Sequence, residues 1–352
     1  MQRGLNMRAI GHRKSESSKS EPSKSKHRAV ARYNFYGLTV EVRARADDAS
    51  MVLIRELDSI YIRFIDKRGC RRETEADLII ELAGQERCSF ARLRSGLKSF
   101  SFDGWALAEL VFVGADGSRL YRIDGGSDPF GFQTNAYYAV LAFVLSNLDN
   151  FLQIHAGAVA RGNSGIVFPG ESGSGKTTLV LSLVRAGYKF LSDEVCLINP
   201  SNLSMLPFPR SLFLSRDVVG LFNGLEIGDE SSPHTEYERG ESLGGPDRKC
   251  VVEIGKHMVS PWGLPINIDF VIFPKYQRGA GAELKTISGL EALVRLISSG
   301  NVLNMTHPGI AKGQVLDNIS SLITGVPCFE LITSRIDEAV KMIGDLYGRY
   351  LL

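Results

Sequence analysis

The stretch 166–194, IVFPGESGSGKTTLVLSLVRAGYKFLSDE, constrains the fold more than any other part of the chain. Gly170 to Thr177 fit the pattern G-x-x-x-x-G-K-[ST] at every fixed position. Such a loop works between a strand and a helix. Its glycines let backbone N–H groups turn inward around phosphate oxygens. The helix that follows aims the positive end of its dipole at the same oxygens. Both neighbours read correctly. GIVF before the loop is strand-like, and TTLVLSLVRAG after it is helix-like, with Gly187 as the stop. Gly170, Ser172, Gly173, Ser174, Gly175, Lys176, Thr177 and Thr178 are therefore the expected ATP-binding residues. Lys176 reaches the β- and γ-phosphates as a point charge, and the Thr177 hydroxyl is placed to ligate Mg²⁺.

Asp193 and Glu194 follow Lys176 by seventeen and eighteen residues. That gap holds one helix (177–186), a turn at Gly187 and a strand, KFLSDE. The strand emerges beside the loop, so its end places a carboxylate near Mg²⁺ and the γ-phosphate. The plain alternative is a solvated strand end or a structural ion pair. Open α/β sheets, however, collect ligand-binding groups at strand C-termini.

The 352 residues suggest roughly two domains, and 44% hydrophobic content supports an ordinary core. A net charge of +2 gives no general case for nucleic acid. Positive charge is concentrated in 1–29, where six serines lie between positions 15 and 25. That segment reads as a disordered basic tail, because it cannot bury enough apolar surface to offset its ordering entropy. No secretory signal is expected, since an apolar core segment is missing there. The run 136–160 is interrupted by Asn147, Asp149 and Asn150, so no membrane span is expected. Cysteines 70, 88, 196, 250 and 328 are scattered, without a Cys-x-x-Cys pair. A cytoplasmic chain with free thiols is the reading.

Order is expected to begin near Ala29. Residues 31–46 alternate like one strand, 51–60 read as a helix and 59–66 as another strand. Strand signals continue at 96–105 and 109–125, with a Gly-Ala-Asp-Gly turn at 114–117. Residues 30–130 thus form a small strand-rich α+β domain, and 131–352 the domain that carries the loop. In the second domain, 135–152 read as a helix, and LQIHAGAVARGNSGIVFPG as strand, turn and strand. The polar, glycine-rich stretch 223–249 reads as a long loop that is either functional, as a lid, or disordered. A strand at 268–276, a helix at 288–300 capped by Ser288 and Glu291, and a terminal helix at 334–352 complete the pattern.

Five ordered blocks carry a resemblance: HAGAV (155–159), the phosphate loop, AGYKFLSDE (186–194), FPRSLFL (208–214), and VIFPKY (271–276) with its following LEALVRL. Together they resemble the HPr kinase/phosphorylase family, and more closely the HPr kinase-related kinases. The likeness covers roughly 135–345. It implies a phosphoenolpyruvate-carboxykinase-like P-loop kinase core in an α/β fold, preceded by the α+β domain. It also implies ATP and Mg²⁺ as cofactors. Some such kinases phosphorylate the C-terminal serine of lasso peptides, which implies a peptide or small-protein acceptor. True HPr kinases assemble as hexamers, so the likeness also raises a homo-oligomer.

By the resemblance, His155 matches the family's histidine ahead of the loop. Asp193 and Glu194 match an acidic pair that reads Asp-Asp in true HPr kinases and serves metal binding and base catalysis. Asp193 is expected as the base and Glu194 as helper or metal ligand. Arg210 is expected to steady γ-phosphate charge, with a surface arginine as its plain alternative. The signature that docks HPr is not apparent after Arg210, so HPr itself is not the expected substrate. Two other classes stay open. Shikimate-type small-molecule kinases also place an acid one helix and strand after the loop, although their loop lies near the chain start. A nucleotide-gated regulator without transfer activity would need no base.

Overall fold

The computed structural model describes residues 28–44, 54–55, 57–66, 76–82, 88–98, 109–124, 129–171, 173–222, 236–238, 248–261, 263–305 and 310–350. The architecture is mixed α/β, with three sheets among these residues.

The first sheet has six strands in the order Arg28–Phe35, Leu38–Ala44, Leu78–Leu82, Cys88–Leu93, Arg119–Asp124 and Glu109–Val113. The stretch 31–46 is not one strand. It folds back at Tyr36 and Gly37, whose φ values of 55° and 99° both lie in the left-handed region. That pair of positive φ values closes a tight hairpin, which alternation alone does not reveal. The stretch 59–66 is also not a strand. Residues 57–60 are helical, Ile62–Phe64 form a short 3-10 turn, and only Ile65 makes a bridge, to Tyr33. Burial explains the miss: Ile60, Tyr61 and Phe64 all face the core, and a tight helical turn suits three inward residues so close together. The hairpin at 109–125 forms as the sequence suggests, with Gly117 at φ 79° in its turn. Most of the strand signal at 96–105 lies outside the described residues, as do the tail 1–27 and most of 223–249. Within that last stretch, Glu236–Glu238 and the start of Arg248–Val252 are strands of a small sheet completed by Leu212–Ser215.

The largest sheet carries the loop. Its order runs Lys189–Ser192, Ala156–Arg161, Ser164–Pro169, Ile266–Tyr276, Ser204–Leu206, Cys196–Asn199 and Leu152–Ile154. Cys328–Thr333 pairs in parallel with Ile266–Tyr276, and Glu283–Thr286 joins it in turn. Ser164–Pro169 is parallel to Ile266–Tyr276 and antiparallel to Ala156–Arg161. Apolar residues on both faces of these strands bury against helices, as expected of a sheet covered on two sides. Helices Lys176–Arg185 and Ile336–Tyr350 cover one face. Helices Gly289–Ser298 and Lys312–Gly325 cover the other. Ser288 caps its helix by accepting from the Glu291 amide at 3.2 Å.

One hydrophobic core joins the first sheet to the loop-bearing part. It holds Tyr33, Phe35, Tyr61 and Phe64 together with helix Pro129–Asn147, Val195, Leu197 and Phe208. No described helix is long and apolar enough to cross a membrane. Cys196 and Cys328 are free and buried.

Candidate functional site

Strand Ser164–Pro169 runs directly into the loop, and helix Lys176–Arg185 begins at the loop's last residues. Gly173 and Gly175 have φ values of 85° and 87°, which the sequence meets with residues lacking a Cβ. A Cβ on Gly170 would sit 2.6 Å from the Ser174 hydroxyl, so the loop closes on itself there. Ser174 Oγ is buried without a partner. Thr178 lies half-buried on the first helical turn, and its carbonyl accepts from Ser182 Oγ at 2.8 Å. Ser172 lies outside the described residues. The first amides of the helix have no intrahelical acceptor and are available to an anion in the loop.

Lys176 is only 7% exposed. Its Nζ lies 2.8 Å from His155 Nε2 and donates to the Gly170 carbonyl at 3.4 Å. Burial holds the ammonium pKa below its ordinary value, against the pull of Asp193 and Glu194. An ammonium can only donate, so His155 Nε2 accepts. His155 Nδ1 therefore carries the ring proton and donates to the Glu194 carbonyl at 2.9 Å. Burial, with Lys176 adding to it, depresses the His155 pKa, while Glu194 opposes them. The imidazole is neutral at pH 7.

His155 occupies the single-residue break between strands Leu152–Ile154 and Ala156–Arg161, and its amide donates to Asn301 at 2.7 Å. The expected single strand is thus two. The acids come from the next strand: Ser192 pairs with Ala158, so Asp193 and Glu194 leave the sheet beside His155. Ser192 Oγ accepts from the amides of Glu194 and Val195 at 3.2 and 3.1 Å, which shapes the bend.

The two acids have different partners. Asp193 Oδ2 accepts from Thr177 Oγ1 at 2.9 Å, while Oδ1 is buried with no partner. Burial pushes the Asp193 pKa up to about 6, although Lys176 and Thr177 pull downward. Glu194 bonds to Arg210, and its Oε1 lies 3.7 Å from His155 Nδ1. Burial alone would raise Glu194, but Arg210, His155 and Lys176 together hold it below the usual carboxylate range.

Arg210 is no surface arginine. It is 5% exposed, with its guanidinium carbon 4.8 Å from the Phe213 ring centre and 5.6 Å from that of Tyr137. It also donates to the Ser211 carbonyl at 2.7 Å, and its Nε is buried without a partner.

Among solved structures, the chain is similar to the Hpr(Ser) kinase/phosphatase from Coxiella burnetii. The likeness is 12% identity over 56% of this chain and 92% of that one, with a TM-score of 0.25. No family model matches the chain, and no curated protein matches it. A TM-score that low leaves any functional reading to the residues of the site.

Gly157 and the aromatic pair around Arg210 escape a reading of the sequence. A Cβ at Gly157 would meet Val180 Cγ2 at 2.6 Å and Lys176 Cγ at 3.1 Å. The small residues of HAGAV are the signal for that close strand–helix approach. Tyr137 and Phe213 have no local signal, because their role depends on where Arg210 arrives. Thr177 Oγ1 and the unpartnered Asp193 Oδ1 are hard oxygens of the kind Mg²⁺ takes. That ion is usually held by one or two carboxylates plus substrate phosphates, so these residues fit it. No described group of three or more His, Cys, Asp or Glu side chains gathers as a metal cluster, and such a site needs none.

Proposed function

We propose that the protein is an ATP- and Mg²⁺-dependent kinase that passes the γ-phosphate to a serine hydroxyl of a peptide or small protein. One observation carries the reading. Asp193 is held by Thr177 through one oxygen, and its other oxygen is buried, unpartnered and raised in basicity beside Lys176. A nucleotide-binding regulator needs no such group.

The loop amides and Lys176 hold the triphosphate. Lys176 would turn its other N–H donors to phosphate oxygens while keeping its bond to neutral His155, which supports the ammonium from behind. Mg²⁺, when bound through Thr177 and Asp193, supplies neutralisation of phosphate charge. The acceptor oxygen forms a bond to the γ-phosphorus as the bond to the β,γ-bridging oxygen breaks. The hydroxyl proton passes to Asp193, and ADP leaves. Phosphoryl transfer asks mainly for such positioning and charge stabilisation. Burial makes the metal-free Asp193 carboxylate more basic than an ordinary one, and Mg²⁺ bound to it would draw it back down, so it is ionised at pH 7 and placed to take the proton. Glu194 serves as helper: it holds Arg210 with its cation at the acid end of the site. The peptide acceptor and its serine follow from the resemblance of the five sequence blocks. The division into domains at residue 130 and a homo-oligomeric assembly belong to the same proposal.

The test is intact mass. The protein is incubated with ATP, Mg²⁺ and a panel of serine peptides, free serine and sugars. One added phosphate on a peptide supports the assignment. Transfer only to a metabolite would overturn the acceptor class, and nucleotide binding with no transfer would overturn the kinase.

A further inference from the structure

Tyr276 is a large aromatic side chain left 59% exposed at the edge of the candidate site. It ends strand Ile266–Tyr276, which runs parallel to the strand that feeds the loop. Both strands therefore finish on the same sheet edge. Residue 270 aligns with Ile166 and Val271 with Val167, so Tyr276 extends past the level at which the loop starts. The two segments touch. Pro274 Cγ would be 3.6 Å from a Cβ on Gly170, and Tyr276 Cβ 3.8 Å from a Cβ on Gly175.

The order along this edge is informative. Lys189–Ser192 delivers Asp193 and Glu194, then comes His155 at the start of Ala156–Arg161, then the loop, then Tyr276. The acids and the tyrosine thus flank the loop on opposite sides. A triphosphate seated in the loop with its γ-phosphate at the acids must send its nucleoside the other way.

The ground there is firm. The Gln277 amide donates to Thr333 at 3.1 Å, the Ser334 amide and hydroxyl donate to Ala280 at 3.2 and 2.8 Å, and the Ala282 amide donates to Glu338 at 3.1 Å. The chain beyond Tyr276 is therefore pinned to the end of Cys328–Thr333 and the start of the last helix. Lys275 and Arg278 are exposed on either side of Tyr276. An exposed ring on a pinned backbone beside the phosphate loop suits a flat heteroaromatic group attached to phosphates.

We infer that Tyr276 is the stacking platform for the nucleotide base, making it a specificity residue for nucleoside triphosphates over bare polyphosphate. This rests on the nucleotide reading above. Stacking of a base on an aromatic side chain is sequence-tolerant and its loss weakens binding by roughly tenfold or more.

Calorimetry with Mg²⁺ on the full chain tests it, using ATP and inorganic tripolyphosphate as the two probes. The wild type is expected to bind ATP more tightly than tripolyphosphate. Tyr276→Ala should weaken ATP about tenfold and leave tripolyphosphate unchanged, which also reports an intact loop. Tyr276→Phe keeps the ring and should stay within about twofold of wild type for ATP. The inference fails if Tyr276→Ala binds ATP like wild type, if it loses both probes equally, or if Tyr276→Phe loses as much as the alanine variant. If wild type binds neither probe, the nucleotide reading itself falls and takes the inference with it.

Discussion

Asp193 gives the proposal its pH dependence. Its carboxyl is raised from 3.8 to about 6, mainly by burial. As the base it must be ionised, so transfer should fall at acid pH, with its midpoint below 6 because Mg²⁺ bound at Asp193 draws the carboxyl back down. Asp193→Asn should retain nucleotide binding and lose transfer, whereas Lys176→Ala should lose nucleotide binding. Normal transfer by the asparagine variant would remove Asp193 from the base role. Linkage gives a second readout. Between the two pKa values the folded state binds more protons than the unfolded state, so this residue makes stability fall as pH rises through that window. The variant should flatten that slope in denaturant titrations from pH 4 to 6. Arg210 gives a third. Its removal leaves Glu194 without its main partner and opens the space between Phe213 and Tyr137. Arg210→Ala should cost about 3 kcal/mol in the same titration. A loss within error would mean the pair is solvated.

At the scale of elements, the contact of strand Ala156–Arg161 with helix Lys176–Arg185 sets the height of Lys176 over the sheet. Gly157 allows that contact, since a Cβ there would overlap Val180 and press on the stem of Lys176. Gly157→Ala should therefore destabilise by about 1–3 kcal/mol and weaken ATP binding together. Full ATP affinity in a destabilised variant would show that the helix shifts without moving the loop. Elements such as this helix were legible because their signals are local: a glycine loop ahead, an apolar stripe, and Gly187 at φ 96° behind. The helix read at 51–60 is present at 57–60, but the hairpin at Tyr36–Gly37 and the 3-10 turn at Ile62–Phe64 were not legible. The hairpin depends on a non-glycine residue at positive φ, and the 3-10 turn on core packing that overrides strand-like alternation.

For the whole molecule, the shared core decides how the parts behave. Phe208 lies two residues before Arg210, is fully buried, and packs against Phe64 of the 3-10 turn and Phe35 of the first sheet at ring separations of 5.0 and 6.2 Å. Ser211 adds bonds to the carbonyls of Ile60 and Ser59 at 2.9 and 2.6 Å. The first sheet thus supports the segment that carries Arg210. Phe208→Ala should cost about 3–5 kcal/mol, and thermal unfolding should keep a single transition. Two separated transitions would mean that the sheet and the loop-bearing part unfold independently.

The sequence alone determined the strand, loop and helix around Lys176, along with the candidates Asp193, Glu194, His155 and Arg210. Glycine spacing, helix capping and apolar periodicity act over a few residues and can be read without a fold. Only the tertiary structure decided who meets whom. Lys176 rests on His155, Thr177 holds Asp193, and Arg210 takes Glu194 rather than solvent. These pairs join residues 16 to 21 positions apart that lie on different segments. Sheet order and register bring them together; burial then raises Asp193, while Arg210 and its cationic neighbours hold the adjacent Glu194 down.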